Sequence, residues 1–209
     1  IYGNDPVMFC SGTDLYERGR SNYSDVTLST YKDLSAGNSN VLNFYKQCYD
    51  GIQQCNTVIY YANKGAAGDN VEKRVNEAKY LKAYYYYLLS QHFGAVPIVK
   101  EYIATSETGY PRESQADVYE YIITLLKEIE TDNVLPMNDN TGRVSMRAVY
   151  NLLAKTYLAY GWDYSTTADE DGSNVVISEK TRFEEAARYA DLAIDEKQPT
   201  LSFSEMWNV

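Results

Sequence analysis

From Asn40 onward, apolar and aromatic side chains recur at intervals of three and four, the spacing of an amphipathic helix. Val41, Phe44, Tyr45, Cys48, Tyr49, Ile52, Cys55, Val58 and Ile59 carry this pattern to about Ala62. Gly65 and Gly68 in GAAGD then predict its end. A second helix is predicted from Val71 to His92, with Val75, Ala78, Leu81, Tyr85, Leu88 and Leu89 as its inward stripe. Gly94 stops it and Pro97 prevents its resumption, so residues 95–113 read as an extended or looping link. Ser114 opens a third helix, with Asp117 in a capping-box position and Val118, Tyr121, Ile122, Leu125, Leu126 and Ile129 facing inward. That helix finishes before Pro136, and NDNTG forms a turn. Ser145 starts a fourth helix carrying Ala148, Leu152, Leu153, Thr156 and Tyr157. Residues 162–180 read as a polar loop. A fifth helix is predicted after Thr181, with Glu184 completing a capping box, and it reaches Glu196 before Pro199.

Residues 1–40 lack this periodicity and are rich in Gly, Ser, Asn, Asp and Thr. They read as an irregular, ordered segment with a short strand or helical turn, packed on the helices. The expected class is therefore all-α: tetratricopeptide-like helical hairpin repeats with long irregular loops over 41–209, wound as an α–α superhelix. Helix starts near 41, 115 and 182 lie 74 and 67 residues apart. Those spacings are about twice the 34-residue tetratricopeptide unit, so the loops must be inserted or the repeat diverged. On this reading the fifth helix has no partner within the chain.

Composition sharpens the picture. There are 22 tyrosines, and acidic residues exceed basic ones by 29 to 19, for a net charge of −10. A phosphate-backbone reader needs clustered Lys and Arg, which the sequence does not supply, so nucleic acid is excluded as a partner. The same balance disfavours direct attraction to an anionic membrane surface. Cys10, Cys48 and Cys55 are an odd number, and the latter two lie seven residues apart on one helix, about 10.5 Å along its axis. That separation is too long for a disulfide, and both read as small core groups. The spacings supply no structural zinc site, and no cofactor is expected.

The series Tyr45, Tyr49, Ile52, Asn56, Ile59 resembles the first long helix of the SusD/RagB family. NEAKYLKAYYYYLLSQHFGAVPIV, residues 76–99, is similar to that family's glutamate–alanine helix and its phenylalanine–glycine–x–valine–proline exit. PRESQADVYEYIITLLKEIE up to Leu135 and Pro136, GRVSMRAVYNLLAKTYLAY over 142–160, and FEEAARYADLAI continue the resemblance in order. It covers about residues 45–196, departing at Lys79 and Lys82, where arginine is common, and at Tyr45, where tryptophan often stands. The resemblance implies a lipid-anchored, surface-exposed outer-membrane protein of Bacteroidetes. Such a protein binds an oligosaccharide or other glycan and forms a lid on a SusC-like TonB-dependent outer-membrane transporter. It also implies that this chain is the N-terminal, repeat-bearing part of a longer one, with the lipidated cysteine upstream of Ile1 rather than at Cys10. Membrane attachment would run only through that anchor.

The family motifs are structural and carry no ligand residue, so candidates come from residue type and position. Tyr84 to Tyr87 sweep about 300° of helix and cannot form one platform, so packing explains them. Loop aromatics flanked by planar polar groups suit a sugar, which needs a flat apolar face and paired hydrogen bonds. Asp14, Arg18, Arg20, Tyr23 and Tyr31 in the first segment meet that description, as do Trp162 and Tyr164 around Asp163. Asp169 to Asn174 read as a solvated acidic loop: counted from Asp169, an EF-hand would need glycine where Asn174 stands and glutamate where Lys180 stands. No metal site is expected. No nucleophile elbow, Walker loop or HExxH occurs, and His92 reads as a packed or capping residue, so a binding protein rather than an enzyme is expected. The competing reading is a tetratricopeptide-type scaffold that binds protein or peptide along helix faces without any sugar.

Overall fold

The computed structural model describes residues 9, 11–14, 26–32, 35, 37–65, 68–105, 109–164, 166–168, 175–177 and 180–194. Among these described residues the elements follow in order: α1 (Val26–Thr30), α2 (Ser39–Asn63), α3 (Val71–Phe93), α4 (Gln115–Asp132), α5 (Met146–Tyr164), β1 (Thr166–Ala168), β2 (Val175–Ile177) and α6 (Lys180–Ile194). The long helices pack as a series in which each lies against the next, α2 on α3, α3 on α4, α4 on α5 and α5 on α6. The all-α repeat architecture expected from periodicity is the one observed. The addition is β1 and β2, an antiparallel pair with Thr167 opposite Val176.

Local chemistry sets the helix ends where the sequence placed them. Asn38 caps α2 by accepting from the Asn40 and Val41 amides at 2.9 and 3.2 Å. Ser114 caps α4 by accepting from the Asp117 amide at 3.1 Å, and its hydroxyl donates to the Asp117 carboxylate. Gly94 closes α3 at φ +67°, in the left-handed region that glycine enters without a Cβ penalty. Cys48 and Cys55 are both buried as free thiols, and burial pushes each up to about 11.

The core runs between the helix layers and is tyrosine-rich. Tyr86, Tyr119 and Tyr189 are fully buried beside Ile52, Leu89, Ile122, Leu126, Ile129 and Leu153. Each buried ring places an apolar face in the core and a hydroxyl on a polar partner. Leu81, expected on the inward stripe of α3, is instead 42% exposed. The adjacent inward place goes to Lys82, which is 2% exposed.

Three further expectations are corrected. The helix expected to end near Tyr160 continues to Tyr164, so the segment beginning at Trp162 is not all loop. Asp163 holds that last turn by accepting from the Tyr119 hydroxyl at 2.6 Å and from Gln115 Nε2 at 3.1 Å. Gly161 lets Phe183 approach so closely that an added Cβ would lie 3.1 Å from its ring. The fifth predicted helix, α6, begins at Lys180, which puts Thr181 inside the helix rather than at its cap. Nor is α6 unpartnered: the Tyr189 ring stacks on Tyr150 and Tyr157, and the Arg182 guanidinium lies 3.5 Å over the Tyr160 ring.

The link after α3 folds back along the α2–α3 pair, and side chains hold its main chain. Tyr49 donates to the Pro97 carbonyl at 2.7 Å, and Lys82 Nζ to the Lys100 carbonyl at 2.7 Å. Asn56 Nδ2 donates to the Val99 and Glu101 carbonyls, and Gln53 Nε2 to Ile103. The Tyr86 hydroxyl accepts from the Val99 amide at 2.7 Å. A chain with no neighbouring strand would otherwise leave these groups unmatched, so five helix side chains supply the pairing a sheet would give.

Candidate functional site

The helix series brings one set of termini together. Phe44 near the start of α2 lies 4.9 Å, ring to ring, from His92 at the end of α3, and Phe9 packs edge-on against both. Gln115 at the start of α4 donates to the Ser90 carbonyl of α3 and to Asp163 of α5. Phe183 and Arg182 bring the start of α6 to the same end through Gly161 and Tyr160. Of the residues picked out from sequence, Tyr31, tied through Gly12 to the stretch after Phe9, and Trp162 and Tyr164, at the end of α5, lie toward this end of the array.

In the first cluster, Tyr31 is 67% exposed. Its hydroxyl donates to the Gly12 carbonyl at 2.7 Å, tying the residue 11–14 turn to the end of α1. Its backbone sits at φ +54°, a left-handed conformation that costs an aromatic residue about 1–2 kcal/mol and persists only where surroundings enforce it. Gly12 contributes to that enforcement: a Cβ there would come within 2.6 Å of the Tyr31 hydroxyl and of the Leu28 carbonyl. Asp14 is exposed at the end of the same turn. Arg18, Arg20 and Tyr23 lie outside the described residues, as do Cys10 and the acidic run from Asp169 to Asn174.

In the second cluster, Trp162 is 74% exposed and Tyr164 41% exposed, both on the final turn of α5. Tyr164 meets Tyr160 edge-on at 5.4 Å, and Tyr160 in turn stacks on Tyr119 at 5.2 Å. The Tyr164 ring thus rests on a buried aromatic pair. Asp163 between them belongs to the frame, because Tyr119 and Gln115 occupy its carboxylate. Burial first, and the Asp163 carboxylate second, push the Tyr119 phenol far above its ordinary range, so it acts as a fixed donor. Among the described residues no contact joins Tyr31 to Trp162. Tyr31 follows α1 and Trp162 stands on the last turn of α5.

Sequence reasoning overlooked two features. Phe9, 40% exposed, together with the exposed His92, extends the aromatic end between the two clusters. At the opposite end, Tyr60, Tyr61 and Tyr102 form a partly exposed group with ring separations of 4.7, 5.3 and 6.1 Å. A signal for the latter existed, since consecutive aromatics at a helix end cannot share one inward face. His92 Nδ1 lies 2.8 Å from the Leu88 carbonyl, the contact of a packed helix-end histidine. Among the described residues no group of three His, Cys, Asp or Glu side chains is placed to hold a metal ion. Among them, too, no helix is long and apolar enough to cross a membrane.

Helical hairpins in series, presenting braced aromatic rings at one end, define a helical-repeat scaffold with its exposed rings on loops and helix ends. Residues 3–158 match the SusD-like family described as starch-binding and associating with outer membrane, and the chain belongs to that family. A SusD superfamily protein from Parabacteroides distasonis is similar at 29% identity and a TM-score of 0.67, over 84% of this chain and 37% of that one. A structure solved with a xylogluco-oligosaccharide is similar at 23% identity and a TM-score of 0.71, over 87% and 35% of the respective chains. Surface glycan-binding protein A from Bacteroides uniformis gives 24% identity and a TM-score of 0.64, over 86% and 36%. The chain therefore spans little more than a third of the length of these structures. Curated proteins yield no match.

Proposed function

We propose that this chain is the repeat-bearing part of a cell-surface protein that captures a glycan and passes it, unmodified, to a TonB-dependent outer-membrane transporter. The observation that carries the reading is the end of the array where Tyr31, Trp162 and Tyr164 stand exposed, Tyr31 tied to Gly12 and Tyr164 set against Tyr160. An apolar pyranose face stacks on such rings with little ordering cost, because they are already held. Asp14 offers a carboxylate for sugar hydroxyls at this end, and Arg18, Arg20 and Tyr23 join it as proposed ligands from the same segment. Family membership supports the glycan and the outer-membrane setting, and the named ligand of one similar structure supports an oligosaccharide. Lipid anchoring through a cysteine upstream of Ile1, surface exposure, the transporter partner and the division at residue 40 belong to the same proposal. A peptide scaffold is less favoured, because one face of the α2–α3 pair is already occupied by the chain's own link.

The test uses the native protein, isolated from outer membranes in mild detergent and screened against oligosaccharides that include xyloglucan fragments. We expect a β-barrel to co-purify with a lipidated protein longer than this chain. We also expect Trp162→Ala to weaken glycan affinity about tenfold, the equivalent of one lost aromatic contact of about 1.4 kcal/mol. Unchanged affinity in both Trp162→Ala and Tyr31→Ala would remove these rings from the site. A water-soluble protein of this length without a barrel would overturn the transporter role.

A further inference from the structure

Tyr60, Tyr61 and Tyr102 come together at the end of the array remote from Tyr31. Tyr60 and Tyr61 stand on the last turn of α2, while Tyr102 lies on the link after α3. Tyr102 stacks on Tyr60 at 4.7 Å with 28° between the ring planes, and Tyr61 meets Tyr60 edge-on at 5.3 Å. Tyr60 is 38% and Tyr61 54% exposed, whereas Tyr86, Tyr119 and Tyr189 are fully buried. Core packing therefore does not account for this group. Its supports are fixed. Asn56 Nδ2 holds the Glu101 carbonyl at 2.9 Å and Gln53 Nε2 the Ile103 carbonyl at 2.8 Å, so the main chain is pinned on both sides of Tyr102. The Lys64 ammonium lies 5.5 Å from the Tyr60 ring centre, and Glu101, next to Tyr102 in the chain, is exposed.

We propose that this cluster is a second platform for a sugar ring, engaged by the same glycan chain that meets Tyr31 and Trp162. The inference rests on the glycan reading above and adds a second site to it. Two observations select a sugar over a protein surface. The first is size. Three rings exposed to this extent present roughly 300 Å² at most, well short of the about 800 Å² a side of a stable protein interface. The second is chemistry. Flat apolar faces, with phenol hydroxyls, an ammonium and a carboxylate around them, suit a pyranose with its apolar face and its rim of hydroxyls. Because the rings are held before binding, little ordering opposes the contact. From Phe44 to Tyr60, α2 runs about 24 Å, so a short oligosaccharide occupies one end only. A long chain bound at one end presents its further sugars to the other at high effective concentration.

The test compares starch, xyloglucan and laminarin with short fragments of the same polymers, on the native protein in mild detergent. We expect the polymer that binds to be held at least about tenfold more tightly than its fragment, the gain of a second linked contact. Tyr61→Ala combined with Tyr102→Ala should remove that gain and leave fragment affinity unchanged. Tyr61→Ala alone, on the most exposed ring, should lose several-fold and keeps the test open should the pair disturb the link. Tyr61→Phe, which keeps the ring, should retain polymer affinity. Trp162→Ala should weaken polymer and fragment alike, which separates the two ends. Polymer affinity that survives the loss of Tyr61 and Tyr102 would overturn the second platform and leave the glycan reading intact. So would losses that are equal for polymer and fragment. A β-barrel that no longer co-purifies, with glycan affinity unchanged, would assign the rings to a protein partner instead. Wild-type protein that binds none of the three polymers would overturn the glycan reading and this platform with it.

Discussion

Lys82 shows how much a single residue can cost and return in this chain. Its ammonium is buried in α3, donates to the Lys100 carbonyl and lies 5.3 Å from the Tyr121 ring centre. Burial, the largest cause, lowers it to about 8, against an ordinary value near 10.4. Between those two pH values the unfolded chain holds a proton that the folded chain has released, so stability through this group rises with pH. Buried Cys48 and Cys55, pushed up to about 11, act in the opposite direction, and a Lys82→Met reference isolates the lysine. The urea midpoint of the wild type relative to Lys82→Met should therefore increase between pH 7.5 and 9.5, and a constant difference would show that the ammonium is not desolvated. Gly51 offers a second test. A Cβ there would fall 2.4 Å from the Tyr85 ring, inside any tolerable contact. Gly51→Ala should destabilise the chain by about 1–3 kcal/mol through overpacking. In a Tyr85→Ala background the same change should stabilise by about 1 kcal/mol, the helix preference of alanine over glycine. Thermal melts of the four proteins decide it. Neither role was legible in the sequence, because periodicity ranks residues by hydrophobicity and therefore put Leu81 inside and said nothing of Lys82. The exposed ring of Tyr31 was legible, since an aromatic outside a periodic run has no helix face to bury it, whereas Trp162, expected in a loop, stands exposed on the last turn of α5.

Among the elements, the decisive contact joins α3 to the approach of α5. Glu77 is 6% exposed and accepts from Arg74 Nη1 at 2.8 Å, from Arg143 Nε at 2.8 Å and from Arg143 Nη2. Sixty-six residues separate Glu77 from Arg143, so this pair fixes the register of two helices that share little other contact. Both guanidinium groups are nearly half exposed, which limits the contribution to that of charged hydrogen bonds rather than of a fully buried ion pair. Glu77→Gln should cost about 2 kcal/mol in urea unfolding, and a double-mutant cycle with Arg143→Met should return a coupling of about 1 kcal/mol or more. Additive effects would remove the pair from its proposed role. Helix existence and most boundaries were readable here because caps and glycines are local signals: Ser114, Gly94 and the Gly65 turn all act within a few residues. The end of α5 was not readable, since Asp163 is held by Tyr119 and Gln115, more than forty residues away in sequence. The resemblance in NEAKYLKAYYYYLLSQHFGAVPIV and in GRVSMRAVY did mark Glu77 and Arg143, without revealing that they meet.

Across the described residues, contacts run from each helix to the next, and side chains of α2 and α3 hold the main chain of the link from α3 to α4. That arrangement made the series legible from sequence, because an array of neighbours needs only the helix faces to be right. It also hid the placement of Tyr31, Trp162 and Tyr164 toward one end, which depends on alternating helix direction and not on any motif. The link has a further consequence, for the order of events in folding. Its carbonyls are taken up by Tyr49, Gln53, Asn56, Lys82 and Tyr86, side chains that come into register only after α2 and α3 have paired. The link must therefore lock late, downhill of the barrier that the helical hairpin crosses first. Asn56→Ala should accordingly leave the refolding rate nearly unchanged and speed unfolding, a φ-value near zero. A refolding rate that drops in proportion to the lost stability would place the link inside the nucleus instead. On the expected result, this stretch of backbone would open and close on an already folded scaffold, faster than the scaffold itself unfolds.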